Sequence, residues 1–301
     1  MIREIEADEL DELVAVARAA QPREFASVSG FVDWREQAEA MVWLLAEEGI
    51  ATRGAAYALT GWHTPPQRAI GAVLVAPGER GAGTGDRLLD AIEGWAAEQG
   101  ATELEGPVQE DDEGSLAWAA HRGYGEVGRN SHLVLDLTPI EPPEPSPPPG
   151  IEIVAWADRP ELGRGIYEVA LEAVPDIPGE EEDRLGTYEE WLARDMQGAS
   201  DDPRAVFVAL QRDEVVAFGK LSLSPDVPHR AFHDLIGVRR SHRGRGIAGA
   251  LKRTQIAWAK QAGYTSLQTS NEVRNEPVRR LNERHGYVIE PGVVVVRGPL
   301  A

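Results

Sequence analysis

The sequence has no cysteine, so a disulfide framework, a thiolate metal site and a cysteine nucleophile are all excluded. It is also short of positive charge. Thirty Lys and Arg stand against 50 Asp and Glu, a formal net charge of -20. That balance argues against a nucleic-acid partner and would steer a cationic small molecule inward. No apolar run approaches the ~18 residues of a membrane span. The opening Met1-Ile2-Arg3-Glu4 shows no basic-then-apolar leader, so no membrane partner and a cytoplasmic location are expected. Histidines number seven. His229 and His233, four apart in an expected strand, would lie ~13 Å apart on one face, too far to share a metal. No metal site is expected.

What is present is a globular composition, 42% hydrophobic over 301 residues, enough for two domains with their own cores. Residues 139–150 contain seven prolines and favour polyproline II, a semi-rigid connector at ~3.1 Å per residue. The expected organisation is an N-terminal domain at 1–138, this linker, and a C-terminal domain at 151–301.

Hydrophobic periodicity gives the elements. In the first half we expect a strand at 2–6, then a helix with Leu10, Leu13, Val14 and Ala17 on one face. A second helix is expected at 32–48, carrying Trp34, Met41, Trp43 and Leu44 and stopped by Gly49. Strands at 55–59 and 69–75 lead to a glycine turn and a helix striped by Leu88, Leu89, Ile92, Trp95 and Ala96, and a further strand covers 133–137. The second half restarts with a strand at 151–156, a capping-box spacing at Asp158-Arg159-Pro160-Glu161, and a helix striped by Leu162, Ile166, Val169 and Ala173. An acidic loop, Asp176 and Glu180 to Asp183, precedes a helix at 187–197 and strands at 205–210, 215–223 and 231–238.

The halves align without a gap at an offset of 163 residues. Val75, Arg80, Gly81 and Gly83 fall on Val238, Arg243, Gly244 and Gly246, and Trp95-Ala96 and Gly123-Tyr124 fall on Trp258-Ala259 and Gly286-Tyr287. A register held over about 45 residues points to two copies of one domain.

Each copy has an extended run ending in a glycine turn that opens into a helix, the outline of a phosphate cradle. A mononucleotide P-loop would need Lys-Ser or Lys-Thr after the last glycine, where Ile247-Ala248 stands. Gly244-x-Gly246-x-x-Gly249 fits the dinucleotide fingerprint, with Glu272 downstream. Too little chain follows for the rest of a doubly wound sheet, and the first copy has Asp86 in place of the third glycine.

Arg243-Gly244-Arg245-Gly246-Ile247-Ala248 and Arg80-Gly81-Ala82-Gly83-Thr84-Gly85 both fit R-x-x-G-x-[GA], each followed by helix, strand, helix and a Gly-Tyr pair. With Asn271, Asn275, Leu281 and Gly286-Tyr287, this pattern resembles the GNAT acetyltransferase superfamily. The resemblance covers 151–301 well and 1–137 less well, and the tandem layout is similar to that of mycothiol synthase. It implies an α/β fold with a mixed sheet, built as two tandem acyl-CoA-binding domains.

The resemblance further implies acetyl-CoA as cofactor and direct transfer to the primary amine of a small molecule. In the second domain Val238, Arg239, Arg240, Arg243, Gly244, Arg245, Gly246, Ile247 and Ala248 would bind it, with Asn275 beside the pantetheine arm or serving only as a helix cap. In the first, Val75, Arg80, Gly81, Gly83, Thr84 and Gly85 would do so. Asp234, nine residues before Arg243, is the expected base, a salt bridge being its competing role, with His233 in reserve.

Many family members offer a tyrosine four residues before the Gly-Tyr pair as acid; here Asn282 stands there, leaving Tyr287, Tyr264 or water. The first half has Ala119 and Gly71 at the two proton-handling positions, so it is expected to be catalytically degenerate. The acidic loop could draw in the amine or simply be solvated. A mycothiol-synthase-like enzyme and a non-catalytic acyl-CoA-binding or sensing protein are the alternatives. A monomer or homodimer is expected.

Overall fold

The computed structural model describes residues 1–23, 26–61, 64–178 and 185–300. In chain order the first half forms β1 (Ile2–Glu4), α1 (Leu10–Ala20), α2 (Val28–Gln37), β2 (Ala40–Glu48), β3 (Ala51–Thr60), β4 (Arg68–Leu74), α3 (Thr84–Glu98), β5 (Glu103–Gln109), α4 (Glu113–His121) and β6 (Gly125–Asp136). The second forms β7 (Glu152–Ala155), α5 (Gly163–Ala173), α6 (Tyr188–Asp195), β8 (Val206–Gln211), β9 (Glu214–Leu223), β10 (Arg230–Val238), α7 (Ile247–Gln261), β11 (Ser266–Glu272), α8 (Glu276–Arg284) and β12 (Val288–Pro299). From α3 to β6, and again from α7 to β12, the boundaries differ by 163 residues throughout. Sequence similarity at that offset is partial, yet the backbone keeps the register to the residue. Gly100 and Gly263, at φ 87° and 90°, end the paired helices in the left-handed conformation that glycine adopts without steric cost.

Contacts divide the chain into two compact units that exchange their last strands. One comprises Met1–Arg129 with Gly292–Ala301, the other Asn130–Pro291. In the first, strands run β1-β2-β3-β4-β5-β12. In the second, they run β7-β8-β9-β10-β11-β6. The linker-based limits at 138 and 151 follow the sequence repeat, whereas the contact units place 292–301 with the first half and 130–138 with the second. The reason is pairing: Val293 to Pro299 join β5 antiparallel, and Asn130 to Asp136 join β11.

Each unit has one parallel pair, and it is short. β4 pairs with β5 only through Arg68, Ala69 and Ile70, and β10 pairs with β11 only through Arg230, Ala231 and Phe232. Beyond those rungs the strands part toward the glycine turns. In the first unit helices cover both sheet faces: Leu88, Leu89, Ile92 and Ala96 of α3 pack in one buried cluster, and Leu10, Leu13, Val14 and Ala17 of α1 in another. In the second, α5 and α6 bury Ile166, Val169 and Trp191, while α7 buries Ile247 and Leu251. Both patterns are the amphipathic stripes that the sequence periodicity implies.

Two local expectations are corrected. Residues 40–48 form strand β2, not the second half of a helix, and Met41, Trp43 and Leu44 are buried there between two helical layers. An unbroken apolar run of this kind reads equally as a doubly buried strand, and pairing with β3 decides it. Gly49, at φ 65°, therefore turns the β2–β3 hairpin. At 158–161 no capping box forms; Pro160–Leu162 is a short 3-10 turn, and α5 begins at Gly163.

The linker lies along the second unit. Arg253 of α7 donates to the carbonyls of Glu144, Pro145 and Ser146, and Lys260 donates to those of Leu137 and Thr138. Among the described residues no helix is long and apolar enough to cross a membrane, and no cluster of His, Asp and Glu could hold a metal ion.

Candidate acyl-CoA sites

The two glycine turns are built alike. Gly81 and Gly83 have φ of 85° and 73°, Gly244 and Gly246 have 73° and 84°, and in each pair the second is the N-cap of the following helix. Neither N-cap carries a side-chain hydrogen bond, and a Cβ at Gly81, Gly83 or Gly244 would meet nothing within 4 Å. At Gly246 a Cβ would lie 3.8 Å from Pro148 of the linker, so the start of α3 is open and that of α7 borders the linker; in both the first amides have no side-chain cap, as a pyrophosphate site requires. The arginine of each turn is tied back identically: Arg80 Nε donates to the Val75 carbonyl and Arg243 Nε to the Val238 carbonyl, both at 3.1 Å.

In the first unit the turn borders a cavity of about 460 Å³. Val75, Arg80, Gly81, Gly83, Thr84 and Gly85 all line it, with Leu89, Ile92, Ala119 and Tyr124 further in. Arg80 pairs with Asp112 at 2.7 Å. Gly71 lies against the backbone of β3: a Cβ there would come within 2.6 Å of the Tyr57 carbonyl oxygen. The first unit therefore lacks the carboxylate of its repeat partner, and its strand also has no room for one.

In the second unit Val238 ends β10, and Arg239 donates to the Val215 carbonyl and pairs with Glu168. Arg240 and Arg243 both reach Asp176, at 2.7 Å. Those guanidinium hydrogen bonds hold the Asp176 carboxyl well below the ordinary carboxylate range. Asp176 is thus brought to the arginines of the turn, while Glu180 to Asp183 lie outside the described residues. Arg245 is exposed, Ile247 is buried and Ala248 is half-buried. Asn275 is the N-cap of α8 by position, yet its side chain makes no capping bond.

Asp234 occupies a β-bulge. His233 pairs with Leu221 and Leu235 with Lys220, leaving Asp234 as the extra residue of β10. Bulges re-aim side chains and recur beside active sites. The Asp234 carboxylate is 2.8 Å from Lys220 Nζ and accepts from the Ser222 hydroxyl at 3.2 Å, with its side chain 43% exposed. Desolvation raises this carboxyl, but the Lys220 ammonium outweighs it and holds it below the ordinary value. Lys220 is itself buried and also pairs with Asp201 at 2.7 Å; burial opposes its charge, and the two carboxylates more than restore it.

His233 faces away from that pair and is buried, its ring 5.6 Å from that of Tyr287. Tyr287 Oη is buried without a hydrogen-bond partner, and desolvation raises its phenol well above the usual value. Asn282, fully buried, donates to Asn271 Oδ1 at 2.7 Å, and Tyr264 stacks on Trp258.

Comparison with known proteins completes this geometry. The acetyltransferase (GNAT) family profile matches residues 3–124 and again 164–287. The chain belongs to the GNAT acetyltransferase family. It is a tandem member, since the match occurs once in each half.

Among solved structures, a GCN5-related N-acetyltransferase from Sphaerobacter thermophilus is similar over 100% of this chain and 95% of its own, at 22% identity and a TM-score of 0.78. A tandem GNAT protein from the clavulanic acid biosynthesis pathway is similar over 100% and 98%, at 19% identity and a TM-score of 0.76. A GNAT-family acetyltransferase from Colwellia psychrerythraea matches over 100% of both chains, at 15% identity and a TM-score of 0.63. At these identities the likeness is one of fold. Among curated proteins no relative matches.

Sequence reasoning passed over Lys220 and Lys252. Lys220 is joined to Asp234 only by strand pairing, which one sequence does not reveal. Lys252 left a signal: on the amphipathic stripe of α7 it occupies the place that Leu89 holds in the repeat.

Proposed function

We propose that this tandem GNAT protein is an acetyl-CoA-dependent N-acetyltransferase for the primary amine of a small molecule, with the reaction in the second unit. The observation that carries this reading is Asp234 on a bulge beside the opening between β10 and β11, ionised and part-exposed. Acetyl-CoA would set its pyrophosphate on the uncapped amides of α7 and supply an activated acyl carbon. The turn, with Gly246 as uncapped N-cap, supports that fit.

Asp234 attracts the substrate ammonium and accepts its proton as the amine attacks, directly or through water. The departing thiolate needs a charge-stabilising donor. Asn282 carries no acidic proton, while Tyr287 is held protonated with an unpartnered hydroxyl, which supports Tyr287 in that role.

The first unit's cleft, with Gly71 in place of the carboxylate, supports cofactor binding without turnover there. The test is thiol release from acetyl-CoA across a panel of amines, with Asp234→Asn beside the wild type. Release that is amine-dependent and lost in the variant supports the reading. Cofactor binding without release for every amine favours a non-catalytic acyl-CoA-binding protein.

A further inference from the structure

The two glycine turns match, and the helices that follow them differ along one stripe. Leu89 and Ile92, which line the first unit's cavity, correspond at the 163-residue offset to Lys252 and Gln255 in the second. Lys252 is 2% exposed and Gln255 fully buried. Lys252 Nζ lies 4.9 Å from the centre of the Tyr287 ring, and no hydrogen bond or ion pair reaches it among the described residues. The His233 ring and the Gln255 amide lie close enough for the amide to favour the charged imidazole slightly, yet no hydrogen bond of ordinary geometry satisfies either side chain.

A buried ammonium without a counter-charge is costly, and buried polar groups are otherwise almost always satisfied. Here Lys252 and Gln255 of α7, His233 of β10 and Tyr287, just before β12, are gathered where the repeat partner has leucine and isoleucine along the same helix. Their common chemistry is donation toward a negative charge. A carboxylate has two oxygens and about four acceptor sites, so it can take up the Lys252 ammonium, the Gln255 amide and a His233 ring N–H together. A single thiolate sulfur uses fewer of them.

We propose that this cluster in the second unit is a carboxylate site, and that the acyl-CoA the unit takes carries a carboxylate at the far end of its acyl chain. This rests on the reading that the second unit transfers an acyl group from coenzyme A to an amine, and it replaces acetyl there with an acyl group that ends in a carboxylate, acetyl-CoA being the weaker donor. The first unit, its cavity lined by Leu89 and Ile92, takes a neutral acyl group.

The groups facing Lys252 shape its proton. His233 on β10 and His285 at the end of α8 are both lowered, by burial first and then by neighbouring positive charge including Lys252, and Tyr287 stays protonated. With no anion present, desolvation lowers the Lys252 amine to about 7. A carboxylate arriving beside it restores the ammonium, so binding at pH 8 takes up a proton.

The experiment is titration calorimetry at pH 8 with succinyl-CoA and butyryl-CoA, which have acyl chains of equal length but charged and neutral ends. Wild-type protein is expected to bind succinyl-CoA at least about tenfold tighter, with a heat that varies with the buffer's ionisation enthalpy. Lys252→Met removes the preference and the proton uptake and keeps butyryl-CoA binding; Lys252→Gln replaces it should the methionine variant not fold.

Equal wild-type affinities, or a preference that survives both substitutions, overturn the proposal. Lys252-dependent binding of free succinate to the acetyl-CoA complex, without a succinyl-CoA preference, overturns the donor assignment and moves the carboxylate to the acceptor. If Gly246→Val changes the binding of neither thioester, the second unit takes no acyl-CoA, and the underlying reading fails separately.

Discussion

Asp234 and Lys220 meet across the β9–β10 pair at 2.8 Å, one partly open to solvent and the other buried. The pairing holds the Asp234 carboxyl below its ordinary value while Lys220 answers two acids at once. A carboxylate ionised at neutral pH suits a cationic amine, and the protein's surplus of acid favours the same encounter.

Asp234→Asn is expected to lower turnover by about 10²- to 10³-fold with acetyl-CoA affinity unchanged. Steady-state rates beside calorimetric cofactor binding check this. An equal loss of both would place Asp234 in cofactor binding.

Lys220→Met should move the acid limb of the activity profile upward, because the neighbour that depresses the Asp234 carboxyl is gone. Stability should also fall by about 3–5 kcal/mol, since Asp201, only 7% exposed, loses its partner. The sign for Asp234 follows from its lowered pKa: the stabilisation it brings is present above the unfolded carboxylate pKa and disappears as pH falls through the folded one. Urea unfolding of wild type and variant between pH 3 and 8 reads both effects.

Lys252→Met should make the ligand-free protein more stable at neutral pH, by about 2–5 kcal/mol, because an uncompensated buried charge is removed. Lys252 titrates near 7 when folded, against 10.5 as the ordinary value. The unfolded chain therefore binds its proton through that window while the folded chain does not. Wild-type stability should gain on the variant as pH rises from 7 to 10. Parallel pH dependences would show that Lys252 is not depressed.

Gly71→Asp tests whether the first unit could carry the missing carboxylate. Its Cβ would press on the Tyr57 carbonyl oxygen, so a loss of about 2–4 kcal/mol and no gain in acyl transfer are expected. A variant as stable as wild type would show that β3 and β4 can move apart.

How much of this was legible in the sequence depended on whether the signal was local. The turn at Arg243, the stripe of α3 and the 163-residue register all follow from spacing, and they carry the family and the tandem layout. Residues 40–48 misled because Met41 to Leu45 is apolar without a period, and only pairing with β3 separates strand from helix. The partner of Asp234 and the destination of Asp176 were hidden for the same reason: both are contacts between elements far apart in the chain. Strand exchange leaves no compositional trace, since β6 and β12 are equivalent copies.

That exchange sets a timetable. The strand that completes the first unit's sheet beside β5 begins at residue 288. At ordinary rates of synthesis, a nascent chain that has already made β5 waits roughly 10–40 s for it. During that interval the first unit holds one margin of its sheet uncovered, the circumstance in which sheets recruit wrong partners. A stop placed after Tyr287 should therefore damage the N-terminal half of the protein as much as the C-terminal half that it shortens.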